Sequence, residues 1–279
     1  MSNHPRIPLA GVIGSPIAHS RSPLLHGHWL KTYGIKGHYI PMDIATQDLQ
    51  WVLSALPRAG FVGCNVTIPH KVSVLALADV VSERAAMIGA ANTLVFRADG
   101  KIHADNTDGY GFIANLQQYA PEWVATTAPA AVFGAGGAAR AVITSLLEAG
   151  APEIRVSNRT RARADTLRAE FGPRIAIYDW VQAGNMLDGA LTVVNTSALG
   201  MVGQPDLMVS LDALSSRATV VDLVYTPLKT RFLAEAEAVG CTVVDGLGML
   251  IHQAVPGFER WFGQRPVVDE ATRAAVLGL

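Results

Sequence analysis

Short apolar runs alternate along almost the whole chain with segments whose apolar residues recur at helical spacing. This alternation predicts an α/β protein. In the N-terminal part, residues 7–13, 37–42 and 61–68 read as strands. Leu24, Leu25, His28 and Trp29 share a helical face, and Leu49, Val52, Leu53 and Leu56 repeat at i, i+3, i+4 and i+7. Thr46 is placed to cap that second helix. Residues 93–96 and 101–103 flank Asp99-Gly100, the signal of a hairpin turn.

A second series starts near residue 128. Residues 130–133, 154–157, 175–178, 192–195, 219–223 and 242–244 are short apolar strands, most of them separated by helical patterns. Six strands in this rhythm predict a doubly wound parallel sheet. A helical stretch over 247–262 is interrupted at Pro256, and 269–277 reads as a short capped helix. The chain therefore divides near residue 108, into a mixed α/β region and a parallel α/β region. On pattern alone the C-terminal helices fit either.

Composition narrows the function classes. Half of the 279 residues are hydrophobic and 16% are charged, the reverse of a disordered chain. The net charge of −1 leaves no basic footprint for nucleic acid. The charge-free stretches are broken by Pro, Gly or polar residues, so no membrane partner is expected. The first residues lack the apolar core of a signal peptide. Cys64 and Cys241 then read as ordinary buried thiols in a reducing, cytoplasmic setting. His26-x-His28 is not a helical metal pair and no Cys or Glu completes a site around the histidines 19, 26, 28, 70 and 103, so no metal is expected.

The glycines carry more information than their number. Gly134-Ala135-Gly136-Gly137-Ala138-Ala139 lies between the strand 130–133 and a helix through Val142, Ile143, Leu146 and Leu147. The pattern is G-x-G-x-x-A in the strand–turn–helix setting of a dinucleotide site. The first Gly permits the turn, the second admits the pyrophosphate and the helix N-terminus binds it. Where an NAD site would offer an acid to the ribose 2′-hydroxyl, this chain has Asn158-Arg159-Thr160, then Arg161 and Arg163. Guanidinium groups suit a 2′-phosphate, so the expected cofactor is NADP. Thr160 is also placed to cap the following helix.

Four polar motifs interrupt the first region: 14–23 with Ser20 and Ser22, 65–71 with Thr67 and Lys71, Asn92-Thr93, and 105–109 with Asp108. Hydride transfer to a carbonyl leaves an alkoxide that needs a proton. The acid/base candidates are Lys71, Asp108, Asp105 and the histidines, while Asn92, Thr67 and the serines suit substrate hydroxyls. A surface salt bridge is the competing role for Lys71 and Asp108, and an N-cap is the competing role for Ser22.

Taken together, these motifs resemble those of shikimate dehydrogenases over nearly the whole chain. The resemblance rests on His19-Ser20-Arg21-Ser22-Pro23, on 63–71 ending in Lys71, and on Gly89-Ala90-Ala91-Asn92-Thr93-Leu94. It continues through Asn106-Thr107-Asp108-Gly109, 134–140, Asn158-Arg159-Thr160, 195–201 and 246–254. It implies NADPH-dependent reduction of 3-dehydroshikimate to shikimate, with Lys71 and Asp108 as the catalytic pair. It also implies that Ser20, Ser22, Thr67, Lys71, Asn92, Asp108, Tyr225 and Gln253 bind the substrate. Gly134, Ala135, Gly136, Gly137, Ala138, Asn158, Arg159, Thr160 and Arg163 would hold NADP, with Leu223, Gly246 and Met249 near the nicotinamide. The implied architecture is a substrate domain, 1–108, completed by 246–279, and a Rossmann-type NADP domain, 109–245, in a monomer or homodimer. A quinate/shikimate dehydrogenase of relaxed choice and a catalytically silent nucleotide-binding regulator are the alternatives. The serine motif departs from the family at Gly27, where Asn is usual, and altered packing is expected there.

Overall fold

Each apolar run of the N-terminal region forms a strand of one mixed sheet. β1 (Leu9–Gly14), β2 (His38–Asp43), β3 (Gly63–Val66), β4 (Val80–Val81), β5 (Thr93–Phe96) and β6 (Ile102–Asp105) lie in the order β2-β1-β3-β5-β6-β4. The pairs β1–β2, β1–β3 and β4–β6 are parallel, whereas β3–β5 and β5–β6 are antiparallel. This is a computed structural model, and it describes residues 7–278. α1 (Ser22–Thr32) and α2 (Leu49–Ala55) make the crossovers that parallel neighbours require, and α3 (Glu83–Ile88) follows β4. The β5–β6 hairpin turns at Asp99-Gly100: Gly100 has φ 84°, and the Asp99 carboxylate accepts the Lys101 N–H at 3.1 Å.

Three details differ from the sequence reading. Thr46 does not cap α2; it lies in a short 3₁₀ turn ahead of it, and Asp48 takes the N-cap position without a side-chain bond. Ser22 is not an N-cap either, because α1 starts on it and Pro23 follows in the first turn. β3 is shorter than its apolar run because the chain turns after Thr67, leaving Ile68 exposed.

The second series matches its apolar runs closely. β7 (Ala130–Phe133), β8 (Ile154–Ser157), β9 (Ile175–Tyr178), β10 (Thr192–Asn195), β11 (Thr219–Asp222) and β12 (Thr242–Val244) form an all-parallel sheet, order β12-β11-β10-β7-β8-β9. α4 (Asp108–Tyr119), α5 (Gly137–Glu148), α6 (Arg161–Phe171) and α7 (Arg231–Val239) belong to the same region. Two apolar clusters cover the sheet, one around Val132, Val142, Ile154 and Val194, the other around Ala131, Phe133, Val193 and Phe232. β7, β10 and β11 are buried throughout, and strands buried on both faces read as continuous apolar runs. α4 was not, because its first turn carries two glycines. Gly109 is required there: a Cβ would stand 2.2 Å from Ser145 Oγ of α5.

α8 (Gly246–Phe262) and α9 (Glu270–Leu277) end the chain. Pro256 lies inside α8 and does not interrupt it, contrary to the sequence reading. Its neighbours Val255 and Phe258 are fully buried, and their packing holds the helix together across the missing N–H. Asp269 caps α9, accepting the Thr272 N–H at 2.8 Å.

The contacts divide the chain into two units. One runs through Thr107 and resumes at Gln253; the other is Asp108–His252, so the division falls inside α8. The first unit buries an aromatic group in which His26 stacks on Tyr39 at 3.9 Å, with Trp29, Phe258 and Trp261 around it. Cys64 and Cys241 are free buried thiols. Among the described residues no helix is long and apolar enough to cross a membrane.

Candidate active site

In the first unit the polar motifs converge on the ends of β1, β3 and β5. Ser20 Oγ accepts the Ser22 N–H at 3.3 Å, which ties the two serines together at the start of α1. Ser22 is buried. Thr67 lies against Gly14, where a Cβ would stand 2.5 Å from the Thr67 methyl group. Lys71 is half-buried in the turn after β3, and its carbonyl accepts the Ala91 N–H at 2.8 Å, beside Asn92. The preceding His70 is fully buried and hydrogen-bonds the Ile44 carbonyl at 2.7 Å, so it anchors the turn that carries Lys71.

Asn92 is the best-connected of these residues. Its Oδ1 accepts from the Thr107 N–H at 2.8 Å and from the Thr93 hydroxyl at 3.0 Å. Its Nδ2 donates to Gln253 Oε1 at 3.0 Å. Gln253 is also held through its carbonyl, which accepts from the Thr107 hydroxyl at 2.8 Å. Behind Asn92, Asn65 donates from Nδ2 to the Asn92 carbonyl at 3.2 Å and to Thr93 Oγ1 at 3.4 Å, and accepts from the Tyr39 hydroxyl at 2.6 Å. Burial pushes the Tyr39 phenol well above its ordinary range, so it stays a donor. Sequence reasoning passed over Asn65 and Tyr39 as site elements. The available signal was an Asn between Cys64 and Val66, in a strand with every residue buried.

Two acid/base candidates are set aside by their surroundings. Burial alone would push the Asp105 carboxyl up, but hydrogen bonds from Ser82, Arg260 and the Asn106 N–H outweigh it and hold it below the usual range. Asp105 is thus committed as an anion to structure. His26 is fully buried with neither ring nitrogen hydrogen-bonded, and burial brings its pKa down to about 3. It is an aromatic core residue.

In the second unit, Asp108 is buried and opens α4, where the helix N-terminus favours a carboxylate. The glycine loop joins β7 to α5. Gly134 has φ 115°, and a Cβ there would meet Thr196 Oγ1 at 2.6 Å. Gly136 and Gly137 face open space instead, with nothing within 4 Å of a built Cβ. Gly136 is the N-cap of α5 and makes no side-chain cap bond. With Ala135 and Ala138, this is a cradle of helix N–H groups that suits a pyrophosphate.

Beyond β8, Asn158 donates to the Thr160 carbonyl at 2.8 Å and shapes the turn, whereas Thr160 occupies the N-cap of α6 without a cap bond. The arginines divide. Arg161 is paired with Asp179 and reaches Asp165 at 3.8 Å. Arg159 and Arg163 are exposed and, among the described residues, have no ion-pair partner. They fit a 2′-phosphate, while Arg161 is already neutralised.

Gly246 starts α8 directly against β11: a Cβ would lie 2.2 Å from the Leu223 carbonyl oxygen. Leu223 and Gly246 are therefore neighbours, and Met249 packs into the core cluster beside α5. The loop bearing Leu223 and Tyr225 hangs on Asp222, which no sequence signal singled out. Asp222 accepts from Asn195 Nδ2 at 2.9 Å, the Val224 N–H at 3.0 Å and the Thr230 hydroxyl at 2.7 Å. Burial still raises its pKa to about 6 against those three donors. Among the described residues no cluster of His, Cys, Asp and Glu could hold a metal.

Comparison with known proteins adds identity to this geometry. Residues 12–94 match the shikimate dehydrogenase substrate binding domain, 118–224 the shikimate/quinate 5-dehydrogenase family and 246–277 the shikimate 5′-dehydrogenase C-terminal domain. A shikimate dehydrogenase (NADP(+)) of Cereibacter sphaeroides is 73% identical over 277 residues, 99% of each chain. Its counterpart in Paracoccus denitrificans is 69% identical over 270 residues, 97% of this chain and 96% of that one. The Thermus thermophilus shikimate 5-dehydrogenase, solved with NADP(H) and shikimate, is 37% identical with TM-score 0.87, covering 98% of this chain and 99% of that one. A quinate dehydrogenase from Corynebacterium glutamicum, solved with NAD, is 32% identical with TM-score 0.90, at 98% and 99% coverage.

Proposed function

The chain belongs to the shikimate dehydrogenase family, and from that premise we propose that it reduces 3-dehydroshikimate to shikimate with NADPH, reversibly. The observation that carries the cofactor choice is the pair of exposed guanidiniums, Arg159 and Arg163, without an ion-pair partner among the described residues and beyond a glycine cradle with room for a pyrophosphate. The unit with the mixed sheet is the substrate domain and the unit with the parallel sheet is the NADP domain.

When bound, NADPH supplies a hydride to the carbonyl carbon of the substrate. The carbonyl oxygen then needs a proton, and Lys71 with Asp108 forms the acid–base pair that delivers it. Ser20 and Ser22 offer hydroxyls to the substrate carboxylate, while Thr67, Asn92, Gln253 and Tyr225 hold its hydroxyls. Gly134, Ala135, Gly136, Gly137 and Ala138 receive the pyrophosphate, and Asn158, Arg159, Thr160 and Arg163 receive the adenosine end. Leu223, Gly246 and Met249 border the nicotinamide. The enzyme works in the cytoplasm as a monomer or homodimer.

The test is a matrix of kcat/KM for shikimate and quinate with NADP⁺ and NAD⁺. This reading expects shikimate with NADP⁺ to exceed every other cell. Comparable values with quinate or NAD⁺ would point to the relaxed enzyme, and no turnover in any cell would remove the reading.

A further inference from the structure

The outer half of the mixed sheet carries a second group of polar side chains, apart from those assigned to substrate and cofactor. The register sets Val95 of β5 opposite His103 of β6, and His103 opposite Val80 of β4, so the three stand in one row across neighbouring strands. Alternation turns Leu94 and Phe96 to the other face, where they join the apolar core. The row itself is only partly covered: Val80 is 40% exposed, and Val95 and His103 are half-buried. Arg97 follows β5 and Arg260 comes in from α8. With Val80, Val95, His103 and Asp105 they line a cavity of about 430 Å³, built wholly within the first unit.

The cavity holds more positive charge than its own acid meets. Asp105 Oδ1 accepts from the Ser82 hydroxyl at 2.6 Å and from the Asn106 N–H at 2.8 Å, while Oδ2 meets Arg260 Nη1 at 2.6 Å. Both oxygens are thus committed, and one carboxylate balances one guanidinium. Arg97 is the surplus. It is exposed and, among the described residues, its side chain has neither an ion pair nor a hydrogen bond. The His103 ring likewise has no hydrogen-bond partner among the described residues. A planar guanidinium is a bidentate donor to oxyanions, and an imidazole adds a further N–H. An exposed arginine alone would mean little. Here it borders apolar side chains and an imidazole, in a cavity of the size that takes a small molecule.

We propose that this cavity is a binding site for a small organic anion, whose carboxylate or phosphate pairs with Arg97 and His103 while its carbon skeleton lies on Val80 and Val95. None of its lining residues is among those assigned to shikimate or NADPH, so both can be bound while it is filled. The charge selects the head group and the two valines favour a ligand with an apolar part over a bare ion.

The test follows the His103 ring signals by NMR at constant pH, with His103→Gln to identify them. NADPH and shikimate are both present at saturation; they cannot react with each other, and they keep the probes out of the sites already assigned. Benzoate and phenyl phosphate are the probes, and they separate the two head groups. The expected result is a saturable shift with one or both. Arg97→Gln should weaken that binding about tenfold or more, the scale of a lost charge-assisted hydrogen bond. Lys101→Gln removes an exposed charge from the same hairpin but outside the cavity, and should change it by less than about twofold. Benzyl alcohol, which has the ring without the charge, should leave the signals nearly unmoved. Arg97 is exposed and its side chain holds no other element, so its replacement leaves the fold in place. No saturable shift with either anion, equal weakening by both variants, or an equal shift with benzyl alcohol would overturn the inference. The measurement reads binding and not turnover, so its failure leaves the enzyme reading intact.

Discussion

Gly246 lies so close beneath Leu223 that a Cβ on it would stand 2.2 Å from the Leu223 carbonyl oxygen and 2.8 Å from that of Val224. Both obstacles are backbone atoms of a loop already tied down by Asp222, so neither can move aside cheaply. Gly246→Ala should destabilise the protein by about 1–3 kcal/mol, as overpacking does. Thermal unfolding together with KM for NADP⁺ checks this; an unchanged Tm and an unchanged KM would show that the loop yields freely.

Lys71→Ala should lower kcat by about 10²-fold or more if the amine delivers the proton. Steady-state kinetics separates this from simple binding: a raised KM with kcat preserved would reduce Lys71 to a substrate contact.

The three arginines near α6 should not behave alike. Arg159→Ala and Arg163→Ala should each raise KM for NADP⁺ about tenfold or more, the scale of a lost charge-assisted hydrogen bond, and leave KM for NAD⁺ nearly unchanged. Arg161→Ala should do little to either, because its charge is already met by Asp179 and Asp165. Equal effects of all three would contradict the division.

Two buried groups should pull stability in opposite directions with pH. His26 has its pKa depressed to about 3, so on acidification below its usual 6.5 the unfolded chain takes up a proton that the folded chain refuses. Stability is lost as pH falls through that range. Asp222 has its pKa raised to about 6, so between its usual range and pH 6 the folded chain holds a proton that the unfolded chain releases. Stability is gained as pH falls through that narrower range. As pH is lowered from 7 to 4, melting temperatures should therefore fall less steeply for His26→Phe than for the wild type, and more steeply for Asp222→Asn.

At Gly27 the structure answers the sequence directly. The residue is exposed on α1 and nothing lies within 4 Å of a built Cβ, so the expected change in packing does not occur. What remains is the entropy of a glycine inside a helix, and Gly27→Ala should stabilise by about 0.5–1 kcal/mol without touching either KM. A lower Tm or a raised shikimate KM would mean that the position has a role its surroundings do not reveal.

Legibility in the sequence followed burial. The inner strands β7, β10 and β11 of the parallel sheet are buried throughout, and the apolar runs marked all six strands almost to the residue. β4, with two residues, and α4, opened by glycines that serve close packing on Ser145, gave no such pattern. The glycine loop was legible because its spacing is local. The distinction between Arg161 and its neighbours was not, because it depends on Asp179 eighteen residues away. The orientation of Gln253 was hidden for the same reason: it depends on Asn92, separated from it by 161 positions.

The first unit is built from two separated segments, one through Thr107 and one from Gln253, while the second is one uninterrupted stretch. Synthesis runs from the N-terminus, so the second unit can complete its core as soon as Met249 in the first turns of α8 has been made. The mixed sheet cannot. His26, Trp29 and Tyr39 must wait for Phe258 and Trp261, which are made after the second unit. The aromatic core of the first unit therefore stays uncovered until the whole of the second unit has been made.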